Sequence, residues 1–212
     1  MYTQEKVVQP LVSHPQGLLT LEIRWFQNGP LPLNVQHWFE AECPGQLSAR
    51  EKRCDRYLHT PGCETINIKL REGDLEVKRC LGPLLEPMNG HTTALPITVW
   101  SGQSERWLKW VYPFNSFQLQ ESPTGESLWT DVLKTRWQRR YLDITVGLTL
   151  LNVEQMQWWT LAFEGQPQTE NPDRWFSQQV DAVNATYRGP ALLADQSYGY
   201  PVWFSQLSNG TR

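Results

Sequence analysis

Alternation of apolar and polar residues, which marks a strand with one covered and one wet face, recurs along most of this chain. It is clearest between Thr65 and Cys80. There Ile66, Ile68 and Leu70 fall on one face and Asn67, Lys69 and Arg71 on the other, while Leu75 and Val77 alternate with Glu76 and Lys78. The Glu72-Gly73-Asp74 joint between the two runs predicts a hairpin. Leu18 to Phe26, dense in strand formers, predicts a first strand, and Asp55 to Thr60, closed by Pro61-Gly62, predicts another. Further strands are expected over Arg106 to Tyr112, Leu128 to Trp137, Tyr141 to Leu150 and Trp158 to Phe163, with Ser122-Pro123-Thr124-Gly125 as a turn. Residues 81 to 103 read as a loop with one short strand at Ile97 to Trp100. About seven or eight strands are in the range that closes a small barrel.

Helical periods are fewer. Leu33 to Glu42 places Val35, Trp38 and Phe39 on one side, and Ser48 to Cys54 opens with Ser48 and Glu51 in capping-box spacing. After Glu164, Asn171-Pro172-Asp173 predicts the start of a C-terminal helix in which Trp175, Phe176, Val180, Val183 and Tyr187 recur at helical spacing. The tail carries Tyr198, Tyr200, Trp203 and Phe204, expected as an aromatic clasp on the barrel, with an exposed protein-interaction patch as the alternative. Residues 1 to 17, polar with Pro10 and Pro15, read as a mobile arm before a single domain over 18 to 212. The fold class expected is mostly β (α+β): an antiparallel eight-stranded barrel or tunnel with flanking helices.

Composition narrows the function classes. With 19 Lys and Arg against 22 Asp and Glu, and a formal net charge of -3, no global positive field draws the chain to nucleic acid or anionic lipid. Any anion site must therefore be local. No apolar run has signal-peptide length, and none reaches the roughly 18 residues of a membrane helix, so a cytoplasmic location is expected. Cys43, Cys54, Cys63 and Cys80 match neither CxxC nor a Cys/His zinc pattern and are expected as free thiols. His14, His37, His59 and His91 are dispersed, and there is no GxSxG frame or GxxxxGK[ST] loop.

One feature changes this picture. Lys69 with Arg71, Lys78, Lys109, Lys134 with Arg136, and Arg24 all project at strand alternation. In an open sheet such rows are a solvated face. The opposite faces, with Ile66, Ile68 and Leu70, then Leu133 and Trp137, then Leu142, Ile144 and Val146, are bulky enough to be covered, which turns the cations toward a barrel interior. Five or more cations lining an interior repel one another unless an anion or carboxylates compensate, and the natural occupant is phosphate.

In order and spacing these residues resemble the CYTH superfamily of triphosphate tunnel metalloenzymes, from about Leu18 to Glu164. Thr20-Leu21-Glu22-Ile23-Arg24 stands where that family has ExExK, keeping the second acid and the cation. Asp55, Tyr57, Thr60 and Pro61 are similar to its DxYxxTP strand, and Ile68-Lys69-Leu70-Arg71 and Glu76-Val77-Lys78 to its next two arms. Lys134-Thr135-Arg136, Leu142-Asp143-Ile144 and Ala162-Phe163-Glu164 are similar to its K-x-R strand, its acid-bearing strand and its closing ExE. Thr20 and Ala162 stand where two acids of the family would be.

The resemblance implies an eight-stranded tunnel that holds a triphosphate or another phosphorylated small molecule, a polyphosphate included. It implies binding by Arg24, Lys69, Arg71, Lys78, Lys109, Lys134 and Arg136. It also implies metal-dependent phosphohydrolysis with Mg or Mn held by Glu22, Asp143 and Glu164, of which Glu22 and Glu164 would be the catalytic pair. Magnesium takes hard oxygen ligands and completes its octahedron with water. Glu22 and Glu164 read equally well as counter-ions to a neighbouring Arg or Lys. The alternative from a different class is a non-catalytic barrel carrying a small apolar or pigment-like ligand.

Overall fold

The computed structural model describes residues 16–85, 88–93, 97–113, 129–167 and 169–210. The Ser122–Gly125 turn and residues 1–15 of the expected arm lie outside them. Eight long strands follow one another around a closed antiparallel barrel: β1 (Leu18–Asn28), β3 (Glu51–Leu58), β4 (Ile66–Arg71), β5 (Asp74–Pro83), β8 (Glu105–Pro113), β9 (Trp129–Tyr141), β10 (Ile144–Val153) and β11 (Met156–Gly165). Their order is β10-β11-β1-β8-β5-β4-β3-β9, and pairing of β9 with β10 closes the ring. A two-residue β2 (Gln46–Leu47) extends the sheet on β9, and β6 (Met88–His91) pairs with β7 (Val99–Gly102) in a separate hairpin.

Three of the strand connections are two-residue turns whose first residue has positive φ: Glu72, Leu142 and Glu154. Such turns match the right-handed twist of the flanking strands. At Glu72-Gly73 the second residue is also positive, at φ 87, a conformation that glycine adopts without strain. The strand expected over Tyr141 to Leu150 is thus divided: Leu142 and Asp143 form the turn, and β10 begins at Ile144. The helix expected over Ser48 to Cys54 is instead the start of β3, where Glu51, Lys52 and Arg53 pair with Arg136, Thr135 and Lys134 of β9. Ladder hydrogen bonds available on that neighbour outweigh a local capping preference.

The main core lies outside the barrel. Leu21, Ile23 and Trp25 of β1, Trp137 of β9, Ile144, Val146 and Leu148 of β10, and Trp159, Leu161 and Phe163 of β11 pack under helices and the β6–β7 hairpin. The cover is α1 (Leu33–His37), which continues as a π-helical turn over Trp38–Glu42, and α2 (Pro172–Asn184). Asn171 caps α2 by accepting from the Arg174 amide at 3.2 Å, and Asp173 holds it to the wall through Arg106, whose Nη2 lies 2.7 Å from Oδ1. Buried Arg139 donates to the carbonyls of Phe39, Glu40 and Gly45, tying the π-helical turn to β9. Cover stops short elsewhere: Leu133 and Leu142, expected on the covered face, are exposed, and Ile66, Ile68 and Leu70 are only half-buried.

A second apolar cluster fills one end of the barrel from inside. The tail residues expected as a clasp form helix α3 (Tyr200–Gly210), and its Tyr200, Trp203 and Phe204 pack on Phe26, Tyr57, Val132, Leu151 and Val153. Phe26 stacks between Tyr198 at 5.2 Å and Trp203 at 5.2 Å. Tyr200, Trp203 and Phe204 are buried and Tyr198 is half-buried, so the tail rings face the barrel and do not form an exposed interaction patch. Their barrel partners share the inward faces that carry Arg24, Lys134 and Thr149 further along, so α3 stoppers the tunnel at that end.

No helix among the described residues is long and apolar enough to cross a membrane. The four cysteines are free thiols.

Candidate functional site

Strand alternation delivers one face of every barrel strand to a common interior. Glu22 and Arg24 come from β1, Arg53 and Tyr57 from β3, Lys69 and Arg71 from β4, and Glu76 and Lys78 from β5. Trp107 and Lys109 come from β8, Lys134 and Arg136 from β9, Thr145, Gly147 and Thr149 from β10, and Ala162 and Glu164 from β11. Together with Asn67, Gln138, Gly199 and Tyr200 they line a cavity of about 240 Å³, below the roughly 300–1,000 Å³ of drug-sized sites. Eight Lys and Arg side chains face three Glu in this lining. All seven cations expected from the sequence are among them, as are Glu22 and Glu164.

The cations divide by what compensates them. On the β3–β4–β5 side two carboxylates carry most of the load. Asp55 is fully buried and accepts from Arg53 Nε at 3.0 Å, from Arg71 Nε and Nη2 at 3.0 Å each, and sits 2.9 Å from Lys134 Nζ. Burial opposes its ionisation, yet Lys134, the paired bonds from Arg71 and nearby Lys69 outweigh it and hold the carboxyl far below the usual carboxylate range. Glu76 holds Lys69 Nζ and Arg71 Nη1 at 2.9 Å each and Lys109 Nζ more loosely at 3.8 Å. Burial draws the Lys69 ammonium well below its ordinary pKa, aided by Arg71 and Lys134 and resisted by Glu76 and Asp55. Lys134 Nζ lies beside the stacked rings of Tyr57 and Tyr200, 4.7 and 4.3 Å from their centroids, and donates to both hydroxyls.

Opposite them the balance is different. Arg24 donates to Thr160 Oγ1 at 3.2 Å and lies over the Tyr200 ring at 5.1 Å, and Arg136 stands across from it. Among the described residues no carboxylate comes within ion-pair distance of either guanidinium. Burial, then Arg53 and Arg24, pull the Arg136 pKa down, the mark of a cation short of negative charge. The floor between them is small: Gly147 pairs with Ala162 and Thr149 with Thr160, and a Cβ added at Gly147 would come within 3.8 Å of the Arg136 guanidinium. Two forked donors over an open floor match the oxygens of a phosphate.

Glu22 and Glu164 are direct cross-strand partners, and Lys78 reaches both: its Nζ contacts Glu22 Oε1 and lies 3.7 Å from Glu164 Oε2. Lys78, aided by Lys109, Arg24 and Arg136, brings the Glu164 carboxyl down to about 2 against the pull of burial. Glu22 Oε1 also accepts from the Thr20 hydroxyl at 2.8 Å. Asp143 is not on this face. It lies in the β9–β10 turn, in a hollow of about 170 Å³ that shares Thr145 and Glu164 with the main cavity, at the end of the barrel away from α3. Glu105 comes closer, being the cross-strand partner of Glu22 on β8, but burial and the Glu22 charge raise its pKa toward the neutral form.

This donor set does not fit a divalent cation. Two carboxylates converge, an ammonium sits between them, and among the described residues no three His, Cys, Asp or Glu side chains gather to hold a metal. Hard cations of the Mg class need several oxygen ligands free of competing donors.

Asp55, Glu76, Arg53, Glu105 and Tyr200 are site residues that the charge rows did not single out. Asp55 and Glu76 share the alternation of the cations, and Lys69 is the cross-strand partner of Glu76, so the carboxylates in step with the lysines carried the signal. Tyr200 had none, because it enters from a separate helix.

No protein-family model matches the sequence, and no curated protein does. Among solved structures the chain is similar to the S. pombe Pct1 RNA triphosphatase. In complex with the Spt5 CTD that structure aligns at a TM-score of 0.38 and 11% identity, covering 82% of this chain and 81% of that chain. Without the peptide it aligns at 0.37 and 12%, covering 82% and 80%. At such TM-scores the likeness carries no argument, and the eight-stranded tunnel stands on the strand pairing itself.

Proposed function

We propose that this chain binds a short polyphosphate, or the triphosphate end of a small molecule, inside the barrel. The observation that carries the reading is the pair Arg24 and Arg136, two guanidiniums without a carboxylate partner among the described residues, converging over Gly147 and Ala162 in a wall of eight cations and three carboxylates. An anion in that space relieves a repulsion already present in the empty barrel. The resemblance of the basic rows to triphosphate tunnel enzymes supports the same class of ligand. The carrier of an apolar or pigment-like ligand lacks support, since only Tyr57, Trp107, Ala162 and Tyr200 put apolar surface into the lining.

Titration with tripolyphosphate, pyrophosphate and orthophosphate tests this through thermal stability, because a ligand bound by the native state alone raises the midpoint with its concentration. The expected order of stabilisation is tripolyphosphate, then pyrophosphate, then orthophosphate. No shift with any of the three sinks the reading. Phosphate release followed in the same samples, with and without Mg or Mn, decides whether hydrolysis accompanies binding.

A further inference from the structure

We propose that Lys78 stands in for a divalent cation, so that the tunnel takes its polyphosphate without metal. The proposal rests on the tunnel being a polyphosphate site and concerns what completes it. A metal beside bound phosphate does two things: it neutralises carboxylates that otherwise repel the phosphate, and it presents positive charge to the phosphate oxygens. Both tasks fall to Lys78 in this chain.

The ammonium bridges Glu22 and Glu164, two acids that line the cavity from adjacent strands. It comes from β5, on the other side of β8 from β1, and reaches past β8 to meet them. A metal seated between these carboxylates would meet the Lys78 Nζ, and two like charges there would have to share two ligands. The neighbouring positions that could supply further oxygens hold Thr20, a neutral hydroxyl that donates to Glu22, Glu105, whose carboxylate accepts from the Trp107 indole, and Ala162, which has none. The ammonium therefore remains in place and cancels one of the two carboxylate charges before a ligand arrives, with Lys109, Arg24 and Arg136 acting on Glu164 from further off. Free magnesium then has one effect on binding: it chelates polyphosphate in solution and lowers the charge that the tunnel recognises.

Calorimetric titration of the full chain with tripolyphosphate in EDTA and in excess Mg decides this. The affinity in EDTA is expected to equal or exceed that in Mg, and Mg or Mn alone is expected to leave the thermal midpoint unchanged. An affinity at least tenfold weaker in EDTA than in Mg overturns the proposal, as does a stoichiometric Mn site on the protein without phosphate. Absence of binding in both buffers instead removes the polyphosphate reading itself. Lys78→Met exposes the mechanism: it is expected to weaken binding in EDTA by about tenfold or more and to recover when Mn is added, because the vacated position then admits a cation. Equal loss with and without Mn counts against the replacement. Lys78→Arg keeps the bridging charge and is expected to bind tripolyphosphate in EDTA within about threefold of the parent; should it bind only with Mn, the proposal fails.

Discussion

Asp55 and Arg136 are both charged residues of one tunnel wall, and they have opposite relations to stability. Asp55 is the anion on which Arg53, Arg71 and Lys134 converge. Asp55→Asn strips buried Lys134 of its carboxylate and leaves half-buried Arg53 and Arg71 with only Glu51 and Glu76, and breaking a buried network in this way costs about 3–5 kcal/mol. Urea denaturation is expected to show that loss directly. Arg136 is repelled by Arg53 and Arg24, is attracted by Glu164 only at a distance, and has no carboxylate within ion-pair distance among the described residues. Arg136→Gln removes a repulsion, so the urea midpoint is expected to hold or rise, while tripolyphosphate affinity falls by roughly tenfold, about 1.4 kcal/mol. A parallel drop in stability and affinity would mean that Arg136 is a structural cation and not a ligand for phosphate. The two behaviours follow from neighbours and not from residue type. Seven of the eight lining cations, all but Arg53, were legible in the sequence, but which of them were already neutralised was not.

At the scale of elements, the hairpins and the stopper carry separate information. Leu142 opens the β9–β10 turn at φ 49 with its side chain 64% exposed, so its backbone is strained and its side chain gains little from packing. Leu142→Gly is expected to stabilise by about 0.5–1 kcal/mol in urea denaturation, since the left-handed region is open to glycine. The period-2 pattern found β4, β5, β8, β9 and β11 to within a few residues. It ran β10 back through that turn because Tyr141 and Leu142 continue the apolar tally, and only pairing shows where the chain reverses. Helix α3 was missed for another reason. Its aromatic residues cluster at the level of sequence, but what makes them helical is the barrel end they fill. Trp203 is fully buried there, against Phe26, Trp158 and Tyr200. Trp203→Ala is expected to cost about 3–5 kcal/mol and to raise binding of a hydrophobic dye at the opened end. Retention of full stability would place α3 on the surface instead.

Over the whole molecule the tunnel is a ring of coupled charges, and its response to pH follows from the carboxylates. Glu164, Glu76 and Asp55 all have folded pKa values below their ordinary ones, Glu164 at about 2 against 4.5. As pH falls the unfolded chain takes up protons first, so the stability these groups contribute is complete above about pH 4.5 and is lost as pH drops toward 2. Urea unfolding measured across that window is expected to steepen toward acid, and Glu164→Gln is expected to flatten it; an unchanged slope would mean that Glu164 is not held by Lys78. The amino-acid sequence by itself determined the strand content, the interior rows of lysine and arginine and the apolar faces behind them, because alternation and side-chain chemistry are local. Tertiary structure decided which carboxylates meet which cations, that Lys78 lies between Glu22 and Glu164, that Asp143 stays in a turn, and that α3 closes one end. Those outcomes depend on closure of the sheet, which brings β9 against β10 and sets side chains from distant strands across a common lumen, and no spacing along the chain encodes that distance.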